Sequence, residues 1–145
     1  MIQVNYHALV ENKVYIGGES ALLQVLREQE ITDVFDLRDN GTEAEGFPAK
    51  VTRHHYPIVE HETGQEDSVQ AAIQAVKEAV NSGKTVYFHC AGGRNRTGTV
   101  ATGVLLELGL ATTVEEAEAL AKEKRPDINI KQEMRDVLKG FYPSK

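Results

Sequence analysis

The chain has a single cysteine among its 145 residues. One thiol cannot form an internal disulfide or a cysteine-rich zinc site. No apolar run approaches the ~20 residues needed to cross a bilayer, and the N-terminus lacks the charged-then-apolar pattern of a signal peptide. Positive charge is short as well. The 16 Lys and Arg residues face 22 Asp and Glu, a formal net charge of −6 that argues against wholesale binding to nucleic acid or an anionic membrane. No internal repeat, low-complexity tract or linker interrupts the chain. The expectation is a cytoplasmic monomer that keeps its thiol reduced, inserts into no membrane and binds no nucleic acid.

What is present is the composition of a globular protein, 41% hydrophobic and 26% charged, at the length of one domain spanning 1–145. Ile2 to Tyr6 and Lys13 to Ile16 read as short strands, the second closed by a Gly17-Gly18 turn. Ser20 is placed to cap a helix with Leu22, Leu23 and Leu26 on one side. Val34 to Leu37 reads as a buried strand containing Asp36, Arg38 to Pro48 as a loop, and Thr52 to Ile58 as a strand that Pro57 ends or confines to an edge. Val59 to Glu66 is an acidic loop. Asp67-x-x-Gln70 has the form of a capping box before Val69, Ala72, Ile73, Val76 and Val80, with Ser82-Gly83 as the stop. A second box, Thr113-x-x-Glu116, opens a helix running to Lys124. A last helix, about Lys131 to Phe141, carries Met134, Val137, Leu138 and Phe141 on one face. Strands interleaved with helices predict an α/β domain: a central, partly parallel sheet of four or five strands with helices on both sides.

The chemistry concentrates in Thr85 to Gly98. Val86, Tyr87 and Phe88 read as a buried strand, and Val100 to Leu108 as a helix. Between them the strand delivers Cys90 to a glycine-containing loop at a helix N-terminus, an anion cradle with a nucleophile at its floor. Gly92 and Gly93 keep side chains away from the backbone donors. Arg96 offers a planar fork to two phosphate oxygens, and Arg94 adds a second cation. Thr97 is either a helix cap or a donor to the cysteine sulfur. His89 points away from Cys90 because strand side chains alternate, so it is read as fixing the loop from behind rather than as an adjacent base.

The run His89-Cys90-Ala91-Gly92-Gly93-Arg94-Asn95-Arg96-Thr97 resembles the His-Cys-x-x-x-x-x-Arg-Thr signature of the cysteine-dependent protein tyrosine phosphatase superfamily. The compact length is similar to its dual-specificity branch. Lys13 to Gly18 and Ile31 to Arg38 look like that branch's early strands, so the resemblance covers nearly the whole chain. It implies a phosphomonoesterase that needs no metal or cofactor. Cys90 would form a phosphocysteine intermediate, while the Ala91–Arg96 loop and Arg96 hold the phosphate oxygens. A general acid would protonate the leaving oxygen and then activate water. Here the chain departs from the pattern, because Glu60 stands where the family has Asp. Glu62 and, after it, Asp67 are its reserves, although Asp67 is more simply read as a helix cap.

The resemblance implies a phosphorylated protein substrate bearing phosphotyrosine, with or without phosphoserine and phosphothreonine. Inositol phosphates, phosphoinositides or another small phosphoester form the alternative, and a non-catalytic phosphate-binding module is the third reading. A sulfurtransferase fits less well, since it leaves the His-Cys pair and the Arg-Thr spacing unexplained. Asp36 is read as pairing with Arg38 or a loop amide. Gln132 matches the water-positioning Gln of tyrosine phosphatases poorly in spacing. His54, His55 and His61 lack a further ligand at metal-binding spacing.

Overall fold

A computed structural model describes residues 6–38, 48–58 and 64–142. Its strands are β1 (Tyr6–Val10), β2 (Val14–Gly18), β3 (Asp33–Asp36), β4 (Thr52–His55) and β5 (Val86–Cys90). They form one sheet in the order β1-β2-β5-β3-β4. Only the β1–β2 pair is antiparallel; β2–β5, β5–β3 and β3–β4 are parallel. The helices are α1 (Leu22–Glu28), α2 (Glu66–Asn81), α3 (Arg96–Glu107), α4 (Val114–Lys124) and α5 (Gln132–Phe141). The α/β class, the parallel centre and the helices on both sides agree with the sequence reading.

Period-2 alternation in β5 builds both faces. Val86, Phe88 and Cys90 join a core with residues of α2, α3, α4 and α5. Tyr87 points to the other face, into a smaller cluster with Tyr15, Leu22, Val25 and Val34 beneath α1. As the central strand, β5 has partners on both sides, so the chain is held firmly up to Cys90.

Several local expectations need correction. The first described strand is Tyr6–Val10, running on past the expected end at Tyr6, with a register shift between Ala8 and Val10; Ile2 to Asn5 lie outside the described residues. Gly17 and Gly18 are no turn: they continue β2 and pair with His89 and Cys90. The turn between β1 and β2 falls earlier, where Asn12 takes a left-handed φ of 65°. Ser20 lies within a 3₁₀ turn, Glu19–Ala21, and the N-cap of α1 is Ala21; α1 buries Leu22 and Val25 while Leu23 is exposed. Asp67 lies inside the first turn of α2, whose N-cap is Gln65, so the Asp67-x-x-Gln70 box does not form. An acid there still suits the positive end of the helix.

Elsewhere the capping chemistry agrees. Thr113 accepts from the Glu116 amide at 3.1 Å, and Glu116 accepts from the Thr112 amide at 2.8 Å. Gly83 and Gly109 take left-handed φ values past the ends of α2 and α3. The β4 strand lies at the sheet edge, consistent with Pro57 after it.

Candidate active site

The turn from β5 into α3 wraps around the Cys90 sulfur. Sγ accepts from the Gly93 amide at 3.2 Å and from the Thr97 hydroxyl at 3.1 Å. The same hydroxyl lies 3.3 Å from the Gly17 carbonyl, linking β2 to the loop. Cys90 and Arg96 are both buried, Arg96 at the first position of α3, where the helix presents its positive end. One guanidinium nitrogen of Arg96 donates to the Ile58 carbonyl at 3.3 Å. Cys90, Ala91, Gly92, Arg94, Asn95 and Arg96 line a cavity of about 220 Å³ that Asn129 and Lys131 complete.

The two glycines of the loop differ. Gly93 has φ +73°, and a Cβ on it would lie 2.6 Å from an Arg125 nitrogen and 2.6 Å from the Gly17 carbonyl carbon. Only glycine fits there. A Cβ on Gly92 would meet nothing within 4 Å, so Gly92 is not required by packing.

Behind the loop stands Arg125, which nothing in the sequence marked as part of the site. It is fully buried; its Nε donates to the Gly93 carbonyl at 2.8 Å and an amino group lies 3.3 Å from the Gly92 carbonyl. Another amino group faces His7 Nδ1 at 3.1 Å. Burial first, and the Arg125 charge second, push the His7 pKa below its ordinary value, as suits an imidazole that accepts this bond. The only sequence signal for Arg125 was an arginine ahead of proline where α4 ends, and that pattern does not distinguish a buried brace from a surface charge. Asn95 is a second brace, its side-chain carbonyl accepting from the Lys131 amide at 2.8 Å.

His89 lies on the far face from Cys90, stacked on Tyr87 at 5.6 Å, with Nδ1–H donating to the Cys90 carbonyl at 3.1 Å. Burial lowers its pKa, so the ring is neutral. Asp36 accepts from Arg38 through Nε at 2.9 Å and an amino group at 2.7 Å, and from Arg53 at 2.7 Å. Burial would raise the Asp36 pKa, but the Arg38 bonds outweigh it and hold the carboxyl well below the usual range.

Glu60, Glu62 and His61 lie outside the described residues. Gln132 heads α5 with its side chain bonded to Asp136 and Arg135, and it does not line the cavity around Cys90. His54 bonds Asp33 at 2.8 Å and His55 bonds the Arg38 carbonyl at 2.6 Å. Among the described residues, no three His, Cys, Asp or Glu side chains are grouped to hold a metal ion, and no helix is long and apolar enough to cross a membrane.

The family model for the DSP-PTPase phosphatase of polymorphic toxin systems matches residues 10–110, which span β2, Cys90, Arg96 and all of α3. The chain belongs to the DSP-PTPase phosphatase family. It is thus a compact phosphatase of the cysteine-dependent tyrosine phosphatase superfamily. A human relative, phosphatidylglycerophosphatase and protein-tyrosine phosphatase 1, is 33% identical over 76 residues, 52% of this chain and 37% of the relative. The chain therefore matches little more than a third of that relative's length.

Solved structures share the fold. A mouse putative dual specificity phosphatase complexed with zinc tungstate superposes with TM-score 0.81 at 16% identity, covering 97% of this chain and 88% of that one. Tk-PTP in its active form gives 0.78 at 23% identity, covering 99% and 100%. PTPMT1 in complex with PI(5)P gives 0.79 at 20% identity, covering 95% and 94%.

Proposed function

We propose that the chain hydrolyses phosphomonoesters through a phosphocysteine intermediate on Cys90. The observation that carries this reading is the convergence of the Gly93 amide and the Thr97 hydroxyl on the Cys90 sulfur beside the buried Arg96. In the first step Sγ attacks phosphorus and the bond to the leaving oxygen breaks. Loop amides from Ala91 to Arg96 and the Arg96 guanidinium take up the charge on the equatorial oxygens. In the second step water attacks phosphorus, the S–P bond breaks, and Thr97 stabilises the departing sulfur. Inorganic phosphate leaves and the thiolate is restored.

We assign Glu60 as the group that gives its proton to the leaving oxygen and then takes one from water. Support comes from the chain just before it. Ile58 is fully buried, its amide bonds the Leu37 carbonyl at 3.1 Å, and its own carbonyl accepts from Arg96. That anchors the chain beside the site two residues ahead of Glu60. Asp67, exposed in the first turn of α2, stays a reserve with Glu62.

The substrate of the first reading is a phosphotyrosine or dual-specificity phosphoprotein, handled by a cytoplasmic monomer whose single domain spans 1–145 and which binds no nucleic acid. A second reading, a small phosphoester, is favoured by Lys131 and Arg94 on the cavity wall and by the phosphatidylglycerophosphatase activity named for the human relative. Hydrolysis of an aryl phosphate, blocked by vanadate and indifferent to chelator, tests the reaction. Normal turnover by Cys90→Ser would refute it.

A further inference from the structure

The cavity over Cys90 holds more positive charge than one phosphate needs. Among the described residues none that lines it is acidic, and three, Arg94, Arg96 and Lys131, are cationic in a chain of net charge −6. Arg96 lies at the floor with Cys90, in the position to clamp the reacting phosphate. Arg94 and Lys131 are exposed, and among the described residues neither side chain is in an ion pair.

Their placement is built rather than incidental. The 128–131 segment alternates: Ile128 and Ile130 are buried, while Asn129 and Lys131 face the cavity. The apolar side packs so closely on α3 that a Cβ at Gly98 would lie 2.6 Å from Ile128 and 3.0 Å from Ile130. Two hydrogen bonds then fix the register of this segment to the catalytic loop. The Asn129 amide donates to the Arg94 carbonyl at 3.2 Å, and the Lys131 amide donates to the Asn95 side chain at 2.8 Å.

We propose that Arg94 and Lys131 form a second anion subsite, and that the substrate is a small phosphomonoester bearing a second phosphate on the same scaffold. The proposal rests on the phosphatase reading above for its first phosphate. Compactness decides the scaffold: both cations share one cavity of about 220 Å³ with Cys90. A neighbouring residue of an extended peptide is displaced by about 3.3–3.6 Å per position and would carry its charge out along the surface. A ring or glycerol backbone holds both groups inside. An inositol bisphosphate and the headgroup of a phosphoinositide share this chemistry.

The test is binding by Cys90→Ser protein, measured calorimetrically, to an inositol monophosphate, an inositol bisphosphate and a doubly phosphorylated peptide. Phosphatidylcholine vesicles carrying a phosphatidylinositol monophosphate form a fourth arm. The bisphosphate is expected to bind about tenfold more tightly than the monophosphate, with a preference that shrinks as salt rises. Lys131→Ala in the same background should remove most of that ratio and Lys131→Arg should restore it. Tight binding to the soluble bisphosphate alone identifies a free inositol phosphate, and binding to the vesicles as well identifies the lipid headgroup.

Equal affinity for mono- and bisphosphate overturns the subsite. So does a Lys131→Ala loss that falls equally on both, or a preference for the peptide. Turnover of an aryl phosphate, measured separately on the unaltered chain, keeps the two claims apart. Activity without a bisphosphate preference refutes the subsite alone, and a preference without activity refutes the reaction alone.

Discussion

The buried guanidinium of Arg125 donates to the carbonyl of Gly93, 32 residues away in sequence, at 2.8 Å. It thereby holds the Gly92 and Gly93 carbonyls on the side away from Cys90, while the Gly93 amide donates to the Cys90 sulfur. Arg125→Ala would strand the Gly92 and Gly93 carbonyls and open a void. A loss of roughly 3–5 kcal/mol is expected by urea denaturation. Arg125→Lys should recover packing but not the fork, so kcat is expected to stay well below that of the unaltered chain while the fold is retained.

Replacing each loop glycine by alanine separates backbone geometry from bulk. Gly93→Ala places a Cβ at φ +73° and against Gly17 and Arg125, and is expected to cost about 2 kcal/mol or more and most of the activity. Gly92→Ala points into open space and should leave stability within ~0.5 kcal/mol of the unaltered chain. Thermal melts of the pair check this directly.

Thr97→Val keeps the shape and removes the donor to sulfur. Since that bond serves the departing thiolate, intermediate breakdown should slow by roughly tenfold, and a burst of released aryl alcohol should precede steady turnover. A uniform loss without a burst would place the role of Thr97 elsewhere.

Acid should unfold the protein in two stages. His89 has its pKa lowered by burial, so the unfolded chain takes up a proton there as pH falls below ~6.5 while the folded chain does not. Asp36 is held ionised against burial by Arg38 and Arg53, so its contribution is complete above ~4 and declines as pH falls further. In a denaturation series across pH, Asp36→Asn is expected to shrink the lower stage, which Glu107 and Glu118 share through their own lowered pKa values. It should make the upper stage no smaller, since the Asp36 charge partly offsets the effect of burial on His89.

The general acid has its own signature. Glu60→Gln should flatten the basic limb of the pH–rate profile, because that limb reports loss of the proton the acid must donate. An unchanged limb would transfer the role to Glu62 or Asp67.

The site's core was legible because it is local. A central strand, a glycine at a left-handed turn and a helix mouth fall in one unbroken stretch from Val86 to Gly98, so spacing alone aligned Cys90 with Arg96. What completes the site comes from afar. Arg125, Ile58, Gly17 and Lys131 reach the loop only through tertiary packing, and neither periodicity nor capping chemistry encodes that. The run of the first strand on to Val10 was hidden for a related reason, since the irregularity between Ala8 and Val10 erases the alternation that marks a strand. Gly17 and Gly18 misled for another reason: consecutive glycines usually mark a turn, yet here they continue a strand against which the loop packs closely.

The most direct measurement is mass spectrometry of the protein acid-quenched during turnover of an aryl phosphate, followed by peptide mapping. The expected result is a phosphoryl adduct on the Cys90 peptide that is absent from Cys90→Ser, together with loss of turnover in that variant. Sustained turnover by Cys90→Ser, or an adduct on another residue, would contradict the account.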